Sequence, residues 1–187
     1  MGVMTSTTTG LPRGRSLTYA DLEHMPDDGH RYELLDGVLI VSPAPRPLHQ
    51  RAVLHLAIRL SAACPRELEV LVAPLDVVLA VDTALQPDVL VARRSDLTKK
   101  NLPAAPVLAV EVLSPSTRRI DLLLKRSRYE AAGVASYWVV DPDAPSLTVF
   151  ELRDGRYGTA VEVRGAERYE ASRPFVLTLT PAELVED

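Results

Sequence analysis

The chain has 187 residues, enough for one domain with a substantial core. Its 47% apolar and 25% charged residues suit a globular protein, and no apolar run reaches the roughly 18 residues that span a bilayer or resembles a signal peptide. A net charge of −4 argues against a non-specific nucleic-acid coat protein, and the lone Cys64 excludes both an intramolecular disulfide and a cysteine-rich zinc site, so the expected compartment is the cytosol.

Residues 1–16, rich in Thr and Ser and without periodicity, read as a disordered tail, which leaves 17–187 as a single domain. Thr18 followed by Asp21 marks the start of a short helix to Met25. Two β-rich runs, 31–35 and 38–42, flank Asp36-Gly37, which predicts a hairpin. After the Pro-rich connector 43–47, apolar residues at 53, 56, 57 and 60 predict an amphipathic helix over 48–63. Arg51, His55 and Arg59 form a basic stripe on its other face, either solvated or touching phosphate. His49 and His55 fall on different faces, so they do not make a zinc pair.

Strands are expected at 68–74, 76–81 and 87–92, with a turn at Asp82-Thr83 and a polar loop from 93 to 106. The run 107–113, VLAVEVL, is apolar except for Glu111, as in a central strand covered on both faces. Ser114 to Thr117 caps a helix that Gly133 stops. A strand at 137–140, a hairpin of 146–152 and 156–163 about Asp154-Gly155, and a strand at 175–179 complete the chain. The order of elements implies an α/β domain in which helices flank a mixed sheet.

Glu111 carries the most chemical information. An ionised carboxylate in an apolar strand costs several kcal/mol unless a metal, a basic side chain or a proton compensates it. Asp88, after Pro87 and before Val89, offers a second carboxylate at a strand mouth, although an isolated Asp after Pro is more often a turn or cap residue. Together the two suit a hard divalent ion such as Mg²⁺, with the backbone carbonyl of Val112 as a further ligand. Lys125 is a candidate cation for phosphodiester chemistry, and is one of three lysines in a chain whose Lys and Arg total 21. A local pair with Asp121 is its alternative. Glu33 either holds a water or Lys125, or is an exposed strand residue. From 88 to 130, nine Lys or Arg face five Asp or Glu, a local excess of +4 in an acidic chain.

Several segments resemble the Uma-two family of the PD-(D/E)XK nuclease superfamily. They are RYELLDG from Arg31, SPAP from Ser42, QPDV from Gln86, EVLSPST from Glu111, Asp121 with Lys125, Tyr129, and GVASYWVVDP from Gly133. The resemblance spans about 17–184. It implies a restriction-endonuclease-like fold and a DNA-cleaving enzyme dependent on Mg²⁺ or Mn²⁺, with Asp88 and Glu111 as metal-binding acids and Glu33 as an additional acid. The superfamily's usual lysine, two positions after Glu111, is here Leu113, and the resemblance implies that Lys125 takes its place. Two cuts in a duplex would favour a homodimer. A catalytically silent nucleic-acid-binding or assembly module on the same fold is the alternative.

Overall fold

The computed structural model describes residues 14–114 and 120–186. Most of the expected tail, and the helix cap at 115–117, lie outside the described residues. Helix α1 (Tyr19–Leu22) is shorter than expected, and Asp21 Oδ2 accepts hydrogen bonds from the Thr18 amide at 2.8 Å and hydroxyl at 2.9 Å. Strands β1 (Arg31–Leu35) and β2 (Val38–Ser42) pair as foreseen, from Leu35 opposite Val38 to Arg31 opposite Ser42. Asp36 and Gly37 have φ of 53° and 75°, the left-handed pair that a two-residue hairpin turn requires.

Helix α2 (Pro47–Ala63) buries His49, Ala52, Leu56 and Leu60. Beyond it come β3 (Leu68–Val72), β4 (Val77–Ala80), β5 (Thr83–Leu85), β6 (Val89–Arg93) and β7 (Leu108–Val112). Strand β5 occupies what the sequence suggested was a turn and its sequel. All three of its residues are buried, and it joins β1 through Leu34 opposite Ala84, a pairing too short to leave an alternating pattern.

A π-helical turn (Ile120–Lys125) leads into α3 (Arg126–Ala132), which Gly133 ends at φ 82°. Then follow β8 (Ser136–Asp141), β9 (Ser146–Arg153), β10 (Arg156–Tyr157), β11 (Val161–Arg164), β12 (Tyr169–Ala171) and β13 (Leu177–Leu179). The second arm of the later hairpin is thus two strands, both paired to β9.

The main sheet runs β10-β9-β8-β7-β6-β3, with β11 also on β9. Only β7 and β8 pair in parallel there, bridged by α3, and the other neighbours are antiparallel. A second sheet, β2-β1-β5-β4, and the pair β12-β13 complete the described strands.

Both faces of β7 are covered, as its apolar run implied. Leu108, Val110 and Val112 pack with Leu56 and Leu60 of α2. Ala109 and Leu113 pack with Tyr129 of α3, Tyr137 of β8 and Leu35 of β1. Side chains alternate along a strand, so Glu111 shares the face of Ala109 and Leu113. The fold class is the expected one: a mixed sheet flanked by helices.

The basic stripe on α2 has a structural use. Arg51 Nη1 donates to the Val185 carbonyl at 3.2 Å, His55 Nδ1 lies 3.3 Å from the Glu183 carbonyl, and Arg59 pairs with the Glu183 carboxylate at 2.8 Å. The stripe therefore fastens the C-terminal turn (Pro181–Leu184) to the helix. Among the described residues, no helix is long and apolar enough to cross a membrane.

Candidate active site

Lys125 stands at the last position of the π-helical turn, pointing into the core, with 1% of its surface exposed. Its Nζ donates to Glu33 Oε1 at 2.8 Å and Oε2 at 3.0 Å, and to Glu111 Oε1 at 3.2 Å. Glu33 and Glu111 are as deeply buried as the lysine. The Tyr129 hydroxyl, one helical turn beyond Lys125, donates to the same Glu111 Oε1 at 2.9 Å. Burial, followed by the charges of Glu111 and Glu33, raises the Tyr129 pKa well above its ordinary value, so the phenol stays a donor. The Gln86 amide also donates to Glu33 Oε1 at 2.8 Å, which ties β1 to the approach of β6.

Glu33 is therefore not an exposed strand residue. Lys125 takes Glu33 and Glu111 as partners from two sheets, while the Asp121 side chain lies outside those described. Leu113, at the position where the superfamily usually has lysine, is packed against Tyr129 and Leu35.

Asp88 lies one residue before β6. The register Val89 opposite Val110, continued by one step, faces it with Glu111. It is buried and accepts three hydrogen bonds. Arg31 Nη1 donates to Oδ1 at 2.7 Å, the Val112 amide donates to Oδ2 at 2.8 Å, and His49 Nε2 is 3.2 Å from Oδ2. Burial pushes the Asp88 pKa up, but the His49 hydrogen bond and the Arg31 charge outweigh it and bring it down to about 2. Asp88 is thus ionised across the physiological range, and is no mere turn residue.

Arg31 joins the two halves of the site. Besides Asp88 it approaches Glu33 Oε2 at 3.8 Å. Burial would lower its pKa, but Asp88, Glu33 and Glu111 together raise it. Among the described residues, three buried carboxylates, Glu33, Asp88 and Glu111, face Lys125 and Arg31. The donors are hard carboxylate oxygens on adjoining strand ends, the chemistry that Mg²⁺ or Mn²⁺ prefers. The residues present fit such an ion in donor type. Among the described residues, no group of three or more His, Cys, Asp or Glu side chains is arranged to enclose one. Val112 meets Asp88 through its amide, whereas the sequence suggested its carbonyl as a ligand.

Sequence reasoning missed Arg31, His49 and Tyr129 as members of this cluster. Arg31 was accessible from strand alternation, since it sits two residues before Glu33 on β1. Tyr129 was accessible from helical spacing, four residues after Lys125. His49 carried a weaker signal, a polar residue one helical turn before the buried Ala52 and Leu56.

A family model described as "Uma2: Putative restriction endonuclease" matches residues 19–182. Among solved structures, the chain resembles one described as a "putative nuclease belonging to DUF820" from Anabaena variabilis. That likeness has a TM-score of 0.74 at 18% identity, covers 90% of this chain and 97% of the other, and speaks for the shared fold. A comparison with curated proteins gives no match.

Proposed function

The chain belongs to the Uma2 family of restriction-endonuclease-like proteins, and from that premise we propose that it is a metal-dependent endonuclease hydrolysing DNA phosphodiester bonds. The observation that carries this reading is the position of Lys125 Nζ, within hydrogen-bond reach of both Glu33 and Glu111 although it comes from a helix rather than from β7. Asp88 and Glu111, with the Val112 carbonyl, would hold Mg²⁺ or Mn²⁺. When bound, such an ion supplies Lewis-acid polarisation of the phosphoryl oxygen and a more acidic water.

Around it, Lys125 stabilises charge that develops on the phosphate in the transition state. Glu33 clamps the lysine through both carboxylate oxygens, and Tyr129 donates to the same Glu111 oxygen as the lysine. Arg31, whose side chain is 22% exposed, is the cation that an incoming phosphodiester meets first.

Nicking of supercoiled plasmid in Mg²⁺ tests the proposal with wild type, Asp88→Ala and Glu111→Ala. The expected result is at least a hundredfold loss in both variants, and equal cleavage by all three proteins would sink it. The net charge of −4 and Leu113 favour a second reading, a nucleic-acid-binding module without catalysis. That reading expects salt-sensitive binding that survives Glu111→Gln with no cleavage by wild type, and cleavage abolished by Glu111→Gln excludes it.

A further inference from the structure

Next to Asp88 lies a cleft of about 590 Å³, within the size range of small-ligand sites. Leu22, Met25, Val53 and Pro74 supply much of its apolar wall, and Tyr32 adds an aromatic ring. Three lining residues each carry a buried polar atom without a hydrogen-bond partner among the described residues: Arg31 Nε, His49 Nδ1 and Gln86 Oε1. Native proteins leave few such atoms unpaired, and three along one cleft call for an explanation.

Their chemistry is specific. Arg31 Nε can only donate, so it asks for an acceptor. Gln86 Nε2 donates to the Asp76 carboxylate at 2.8 Å, which fixes the amide orientation and leaves Oε1 as an acceptor asking for a donor. His49 is anchored through Nε2 on Asp88, and its Nδ1 is the remaining polar atom of the ring. A fitting ligand has a flat apolar body and an edge bearing both donors and acceptors. It also carries an anion at the Asp88 end, where Arg31, already bonded to Asp88, is the cation facing it among the lining acids Asp27, Asp76 and Asp88. A nucleotide has all three properties.

We propose that this cleft receives the base of one unpaired nucleotide while its phosphate lies at the Arg31 and Asp88 end. The proposal rests on the endonuclease reading and narrows its substrate to strands that present an unstacked base, either single-stranded or extruded from a duplex. A base held in a duplex stack cannot enter a cleft of one-nucleotide size. The three polar atoms are covered in the free chain and their side chains are held by Asp88 and Asp76, so binding uncovers them by small shifts of the neighbouring wall residues.

The test is binding of deoxynucleoside 5′-monophosphates to the whole protein in EDTA, followed by calorimetry or ligand-observed NMR, with deoxyribose 5-phosphate as the base-less control. Wild type is expected to prefer the nucleotides at least tenfold. Val53→Trp, which fills the cleft, removes that preference, and Gln86→Leu reduces it severalfold with the melting temperature retained. Should Val53→Trp not fold, Gln86→Leu decides the matter. Equal binding of nucleotide and control by wild type overturns the proposal and means that the three atoms serve only bound water, as does an undiminished preference in either folded variant. Nucleotide preference without cleavage of either supercoiled plasmid or a single-stranded oligonucleotide in Mg²⁺ supports the cleft and sinks the endonuclease reading. Nicking without nucleotide preference does the reverse.

Discussion

The two halves of the candidate site are built differently. Around Lys125, the cation, two carboxylates and a phenol hydrogen-bond to one another within a buried core. Around Asp88, a carboxylate with three donors borders a cleft whose lining residues keep polar atoms unmatched among the described residues. The first arrangement is preorganised, so its groups hold position without waiting for substrate. The second is open on the side from which a ligand comes. On the proposed reading, charge stabilisation falls to the Lys125 half and substrate approach to the Asp88 half.

Removing the central cation should break the Lys125 half most severely. Lys125→Met leaves Glu33 and Glu111 buried without their ammonium, at a cost of about 3–5 kcal/mol in unfolding free energy. Chemical denaturation measures this loss. Adding Glu33→Gln should recover part of the stability but none of the nicking activity, because one buried charge has gone and the lysine is still missing. Recovery of cleavage in the double variant would show that Lys125 has no catalytic part.

Tyr129→Phe should have the next largest effect. It deletes one donor to the Glu111 carboxylate, worth about 1.5–3 kcal/mol for a bond to a charged group. Its cleavage rate should fall less than that of Lys125→Met. An unchanged melting temperature would argue that the phenol is dispensable to the Lys125 half.

The open half is sharpened by acid. The Asp88 pKa is depressed to about 2 in the folded chain against an ordinary value near 4, so its contribution is present above about pH 4 and is lost as pH falls toward 2. The depression corresponds to roughly 2 kcal/mol. Metal-free wild type should therefore lose stability across this interval more steeply than Asp88→Asn, as urea midpoints at pH 4.5, 3.5 and 2.5 would reveal. Parallel curves would remove Asp88 as the source.

The smallest effect is expected far from both halves. Arg59→Ala breaks a part-exposed pair with Glu183 and should cost under about 1 kcal/mol, leaving nicking untouched. A large loss of cleavage would restore the basic stripe of α2 as a phosphate-binding surface.

Much of the fold was legible because its signals are local. The Asp-Gly turns and the apolar run of β7, interrupted only by Glu111, can each be read within a few residues. Strand β5 escaped, since three buried residues carry no period. In the site, Glu111 was legible from the cost of its own burial, whereas Asp88 and Lys125 each had a local alternative at least as good as the functional one.

The sequence by itself determined the mixed sheet, the first hairpin and the presence of an acid inside the central strand. Only the tertiary structure decided what neutralises that acid. The Lys125 to Glu33 bond spans 92 residues, Arg31 to Asp88 spans 57, and His49 to Asp88 spans 39. Periodicity reports whether a side chain faces inward, but which charge it meets there depends on how β1, α2 and the turn before α3 pack around the ends of β6 and β7. Chain folding alone makes those groups neighbours, and their low-dielectric surroundings turn the neighbours into partners.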